Sequence, residues 1–187
     1  MTQTLVFPEG HFRHFISVEE FYRMTRAGVF PEGVRFELLE GEIFELEMVN
    51  DVSAGLLGML SEEIRVKLAR SVRVYVRMPI VLERPTSEPE PDLTVVMWDS
   101  EIRRKPRVHE VLAVVEISDS SLNKDRGIKQ RVYARAGIPE YWIVNVNDVQ
   151  LEIYRNPGPT EYKLRQTLER GELAHFAAFP GVDIQWW

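Results

Sequence analysis

The sequence holds no cysteine, which excludes disulfides, thiolate nucleophiles and cysteine-bound zinc together. No apolar run approaches the roughly 18 residues of a membrane span, so no membrane is expected as a partner. The opening stretch MTQTLVFPEGHFRHF lacks a basic start followed by an apolar segment. A secretory signal is therefore not expected, and a cytoplasmic location follows as the default. Histidine is scarce: His11, His14, His109 and His175 show no helical metal-ligand spacing. There is no glycine-rich phosphate loop and no nucleophilic serine of the Gly-x-Ser-x-Gly kind. Positive charge is also in deficit, with 23 Lys and Arg against 29 Asp and Glu and a net charge of -6. Phosphate binding favours a basic surface, but the distribution of charge matters more than its sum. Basic residues gather in Arg65–Arg77, Arg103–Arg107 and Lys124–Arg135, while the acids concentrate before residue 63. A local basic face is compatible with this pattern, and so are plain solvated faces.

What is present describes a globular chain. Hydrophobic residues make up 44% and charged residues 28% of 187 positions, enough for one domain with a sizeable core. We expect a single domain over 1–187, with 1–16 as a loose N-terminal arm. Ser17-Val-Glu-Glu20 has the form of a capping box, predicting a helix from Val18 to Arg26. Val34–Leu39 and Glu42–Glu47 read as a hairpin around Glu40-Gly41. Val52–Ala69 carries apolar residues at helical period. Val72–Arg77 and Ile80–Glu83 are strand-like, and Arg84–Glu90 is a loop. Pro91–Met97 reads as a strand, and Trp98–Val108 as a charged connection. Val111–Ile117 is nearly continuous in apolar residues, as in a strand buried on both faces. Lys124–Ala136 is helical and stops at Gly137-Ile-Pro139. Tyr141–Val146 is a second buried strand, so a crossover between parallel strands is expected. Val149–Tyr154 and Tyr162–Leu168 add antiparallel strands, and Phe179–Ile184 packs back onto the body. The fold class is α/β with a mixed central sheet flanked by helices.

Three residues in this frame carry chemistry. Glu116 ends a strand that otherwise reads as core, and a buried carboxylate costs several kcal/mol unless it is paired or metal-bound. Asp92 opens the preceding strand among apolar neighbours. If the two strands pair, both carboxylates converge at one end of the sheet. A hard cation is held by one or two carboxylates, waters and substrate phosphate oxygens. Lys129 lies at the edge of the apolar face formed by Ile128, Val132, Tyr133 and Ala136, on the helix after Glu116. From there an ammonium can neutralise a phosphate or position water. The plainer alternatives are a salt bridge or helix cap for Glu116, a turn residue for Asp92, and a lysine that snorkels to solvent. Taken together the groups suit phosphodiester hydrolysis assisted by a metal ion.

Several stretches then show a resemblance. Glu116-Ile-Ser-Asp-Ser120, Lys124-Asp-Arg-Gly-Ile-Lys129 and Tyr133-Ala-Arg-Ala-Gly-Ile-Pro-Glu-Tyr-Trp-Ile-Val144 closely resemble the Uma-two family of restriction endonucleases. Phe36-Glu-Leu-Leu-Glu-Gly-Glu-Ile43, Glu90-Pro-Asp-Leu-Thr-Val-Val96 and Phe179-Pro-Gly-Val-Asp-Ile184 are similar too. The resemblance implies a restriction-endonuclease-like fold of the PD-(D/E)XK type. It makes Asp92 the motif aspartate and Glu116 the second acid. Ser118 stands where the general pattern has lysine, and Lys129 on the next helix substitutes for it. Glu37 matches a further family acid that would complete the metal site, its alternative being a water-exposed hairpin residue. One departure stands out: the family often has a histidine at the start of the helix after the hairpin, and Asn50–Ser53 holds none.

The expectation is a Mg²⁺- or Mn²⁺-dependent endonuclease acting on DNA, or on RNA, with Asp92, Glu116 and Lys129 catalytic and Asp92, Glu116 and Glu37 around the metal. The alternative is a catalytically weak or inactive nuclease-fold protein that binds nucleic acid or protein, which the net charge and the missing histidine favour. A third reading is a structural homodimer whose apolar strands only make a core.

Overall fold

A computed structural model describes residues 13–48, 50–82, 86–98 and 104–187. Most of the expected arm over 1–16, with His11, lies outside the described residues. So do Glu83, part of the Arg84–Glu90 loop, part of the Trp98–Val108 connection, and Arg103.

Local rules account for most elements. Helix α1 (Val18–Arg26) starts at the expected capping box, in which the Ser17 and Glu20 side chains each bond the other's backbone N–H. Strands β1 (Phe36–Leu39) and β2 (Glu42–Glu45) pair antiparallel with Leu39 opposite Glu42. The two turn residues, Glu40 and Gly41, both take positive φ, 50° and 81°, the I′ geometry that matches strand twist. Gly41 is required twice, since a Cβ there would lie 2.6 Å from Cβ of Phe15. Helix α2 (Asp51–Lys67) is capped by Asn50, whose side chain accepts from the Ser53 N–H. Helix α3 (Leu122–Lys124), a π-helical turn over Asp125–Lys129, and helix α4 (Gln130–Ala136) form one continuous helical run. It ends on Gly137 in the left-handed conformation, as a glycine stop requires.

The main sheet has six strands in chain order: β3 (Val72–Val76), β4 (Leu93–Met97), β5 (Val111–Ser118), β6 (Glu140–Asn145), β7 (Gln150–Pro157) and β8 (Tyr162–Glu169). Only β5 and β6 pair parallel; the other neighbours are antiparallel. The described part of the strand expected at Ile80–Glu83, Ile80–Leu82, is not a strand: Val81 makes an isolated bridge with Arg107.

Two apolar layers cover the sheet. On one face α2 packs Leu57, Leu60 and Ile64 onto Val95, Val115 and Trp142, joined by Phe176, Ile184 and Trp186 from the C-terminal segment. On the other face α4 packs Val132 and Tyr133 against Val114, Tyr141 and Ile143. Residues 114, 116 and 118 of β5 therefore point to the α4 side. The position that would continue the apolar stripe after Val114 is Glu116.

Candidate functional site

The pairing of β4 and β5, with Leu93 opposite Val115, brings Asp92 and Glu116 together. The Asp92 N–H donates to Glu116 Oε2 at 3.4 Å, and the Ile117 N–H donates to Asp92 Oδ2 at 2.9 Å. Arg77 grips the other side of Asp92. Its Nε donates to Oδ1 at 3.2 Å and its backbone N–H to the Asp92 carbonyl at 3.0 Å. Arg77 has φ of 47°, a left-handed conformation that costs about 1 kcal/mol or more in a non-glycine residue.

Lys129 reaches the same end of the sheet and is buried at 3% exposure, so it does not snorkel. Its Nζ donates to Glu116 Oε1 at 2.9 Å and lies 3.3 Å from Glu37 Oε2 and 3.9 Å from Asp125 Oδ1. Burial favours the neutral amine, but Glu116, Glu37 and Asp125 outweigh it and push the lysine upward, so it stays an ammonium. For Glu116 the balance runs the other way. Burial pushes its carboxyl up to about 8; Lys129 opposes this, while Asp125, Asp92 and Glu37 add to it.

Glu37 is fully buried and is not a water-exposed hairpin residue. It takes the Glu90 N–H at 3.2 Å, Lys124 Nζ at 3.1 Å and the Lys129 ammonium. The structure thus brings Glu37 to Lys129, behind the cleft that Asp92, Glu116 and Lys129 line. That cleft has a volume of about 90 Å³. Arg35, Arg77 and Lys124 stand around it, and so do Glu90 and Asp125.

Some of these groups were not singled out from the sequence. Tyr133, read as part of the apolar face, donates its hydroxyl to Glu116 Oε1 at 2.7 Å. Asp125 is buried, with Oδ2 accepting from the Ser118 and Ser121 hydroxyls, each at 2.6 Å, and Oδ1 without a hydrogen-bond partner. Its position four residues before Lys129 was the available signal, since i and i+4 share a helix face. Lys124 shows no such signal, because its partner Glu37 is 87 residues away. The Asn50–Ser53 stretch also reaches the cleft: Asn50 and Ser53 line it, and the Asn50 amide donates to Asp119 at 2.7 Å.

The donor set can be tested against a divalent ion. Among the described residues no three acids or histidines form a ready cage. A Mg²⁺ ion needs less, being held through one or two carboxylates while keeping water and substrate oxygens. Asp92 and Glu116 are such a pair, at the wall of an open cleft. Asp125, which also lines the cleft, keeps a buried Oδ1 that accepts no hydrogen bond and has the Lys129 ammonium 3.9 Å away.

The comparisons agree with this architecture. A family model described as "Uma2: Putative restriction endonuclease" matches residues 18–186. A solved structure titled as "a putative nuclease belonging to DUF820 from Anabaena variabilis" is similar with a TM-score of 0.65 and 18% identity, over 88% of this chain and 90% of that one. That likeness is one of fold, and the sheet flanked by helices is the restriction-endonuclease-like α/β fold that the resemblance implies. None of the curated proteins matches.

Proposed function

This chain belongs to the Uma2 family, and from that premise we propose that it is a divalent-metal-dependent endonuclease that hydrolyses phosphodiester bonds in DNA. Asp92 and Glu116 would hold Mg²⁺ or Mn²⁺, and Lys129 would face the reacting phosphate. One observation carries the reading: two carboxylates at adjacent strand ends and a buried ammonium 2.9 Å from one of them share the wall of a single cleft.

A bound divalent ion polarises the phosphoryl group and lowers the pKa of a bound water. The chain's own residues do the rest. The Ile117 N–H and Arg77 fix Asp92, so its carboxylate is oriented before substrate arrives. Tyr133 and Lys129 both occupy Glu116 Oε1, which leaves Oε2 as the oxygen on the Asp92 side. Lys129, held by three carboxylates, needs little reorganisation to offset the negative charge that builds on the phosphate. The cleft lining holds four basic and six acidic side chains, so a bound divalent ion would offset the excess negative charge that a polyanion otherwise meets there.

The test is nicking of a supercoiled plasmid by purified protein with Mg²⁺ or Mn²⁺. We expect cleavage that falls by about a thousandfold in Asp92→Ala and in Glu116→Ala, as loss of several kcal/mol of metal-dependent stabilisation implies. Cleavage that survives both substitutions would sink the assignment. An unchanged protein inert on DNA and on RNA, with no Mn²⁺ affinity in titration, would favour a binding module on a nuclease fold.

A further inference from the structure

A second cavity, of about 310 Å³, adjoins the cleft. Arg35 and Glu90, ion-paired at 3.0 Å, line both spaces and form the partition between them. The walls of the second cavity are aromatic. The Phe21 and Phe30 rings lie 5.5 Å apart, and Phe30 stacks on Phe36 at 4.6 Å. Phe36 and Glu37 are consecutive on β1 and so project to opposite faces. The aromatic cavity and the carboxylate cluster therefore occupy the two sides of one strand.

A polar group closes this cavity. Glu88 is buried, and its Oε1 accepts from the Tyr22 hydroxyl and from Lys105 Nζ. Lys105 also donates to the Tyr22 oxygen at 2.7 Å. The backbone of Glu88 is fixed by hydrogen bonds to and from Leu38, at 2.8 and 3.4 Å. A carboxylate and an ammonium thus stand side by side against aromatic walls, one ion pair away from the cleft.

We infer that this cavity is a nucleobase subsite that takes a guanine of the strand held in the cleft, an inference that rests on the nuclease reading above. A phosphate in the cleft places its neighbouring bases beside the Arg35–Glu90 partition. Phenylalanine rings stack on the faces of unpaired bases. The polar end discriminates among them. Guanine presents two adjacent donors, N1–H and N2–H, to a carboxylate, and beside them the O6 acceptor to an ammonium. Adenine and cytosine each set a ring acceptor beside their amino group, which the carboxylate repels. Thymine offers one donor only. The subsite favours a strand whose base is unpaired or turned out of the helix.

The experiment titrates metal-free protein with the 5′-monophosphates of deoxyguanosine, deoxyadenosine, deoxycytidine and thymidine, followed by saturation-transfer NMR. All four carry the same phosphate, so only the base separates them. We expect the guanine nucleotide to bind about tenfold more tightly than the others, and Phe30→Ala and Glu88→Gln each to remove about tenfold of that affinity. Lys105→Met, at a partly exposed position, repeats the test without changing a buried carboxylate; circular dichroism follows the fold of each variant. Absence of guanine nucleotide binding, equal binding of all four, or binding indifferent to Phe30→Ala and Lys105→Met would each overturn the subsite. Nothing is cleaved in this measurement, so its failure is separable from that of plasmid nicking. Nicking without guanine preference counts against the subsite alone; guanine binding without nicking supports the subsite and counts against catalysis.

Discussion

Glu140 and Glu152 are as deeply buried as Glu116 and Glu37, each under 5% exposed, yet the two pairs live in different company. Glu140 takes Arg155 at 2.8 Å, the Trp142 ring N–H at 2.6 Å and the Ala177 N–H at 2.7 Å. Glu152 takes Arg126, Arg165 at 3.1 Å and the Tyr154 hydroxyl at 2.5 Å. Guanidinium forks fill carboxylate lone pairs in fixed directions, and neither glutamate lines the cleft or the cavity beside it. Around Glu116, two strands from Glu152 in the same register, the main cation is one ammonium shared among three carboxylates, and Glu116 lines the cleft. A buried acid is therefore not in itself the mark of a site. The mark is a buried acid whose partner is a shared point charge and which lines an open cleft, as Glu116 does.

This contrast can be broken in order of size. Glu140→Ala leaves the Trp142 ring N–H and the Ala177 N–H without their acceptor and Arg155 with the His175 carbonyl but no carboxylate, and should cost about 3 kcal/mol or more in urea unfolding. A loss below about 1 kcal/mol would place Glu140 among weakly coupled acids and erase the distinction. Next comes Lys129→Met, which strands Glu116, Glu37 and Asp125 together. It should destabilise the metal-free fold, and adding Glu116→Gln should recover part of the loss. The double-mutant cycle should give about 1–3 kcal/mol of coupling, and additive effects would mean that the two groups do not act on each other. Smallest is Glu20→Gln, a case of hydrogen bonding with little burial. The Ser17 N–H and hydroxyl lower the Glu20 carboxyl from 4.5 to about 2. Its contribution is thus fully present above pH 4.5 and is lost as pH falls through about 2. Thermal melts between those pH values should show a steeper acid loss in the unchanged protein than in the glutamine variant. Identical slopes would mean that the capping carboxylate is not held in solution.

The legible parts of the molecule are those governed by local rules. The capping box, the hairpin turn and the glycine stop sit where the sequence places them, because each depends on residues within a few positions. The strands over Val111–Ser118 and Glu140–Asn145 were visible as apolar runs. The strand expected at Ile80–Glu83 is absent over its described residues, Ile80–Leu82, because so short an apolar stretch fits an isolated bridge as well as a ladder. In the site, Asp92 and Glu116 were legible as carboxylates in apolar company, and the structure brings them and Lys129 together. Tyr133 escaped because an aromatic ring on an inward helix face reads as packing, and its hydroxyl finds Glu116 only in three dimensions. Lys124, Arg77 and Glu90 escaped for the same reason: their partners come from distant elements.

The π-helical turn over Asp125–Lys129 has a consequence for how this chain tolerates insertion and deletion. Within it the Gln130 N–H bonds the Asp125 carbonyl, five residues back, so the run carries one residue more than an α-helical turn would. Removing one of the three residues between Asp125 and Lys129 would close that wide turn into an α-helical one, with Lys129 and α4 kept close to their present direction. A one-residue deletion within α4, which has no surplus residue to give up, would instead turn everything beyond it about 100° around the axis. The spare residue thus sits between the acid and the ammonium, where the chain can lose it and still aim Lys129 at the carboxylates. A single-codon loss there should be milder than replacing the lysine itself.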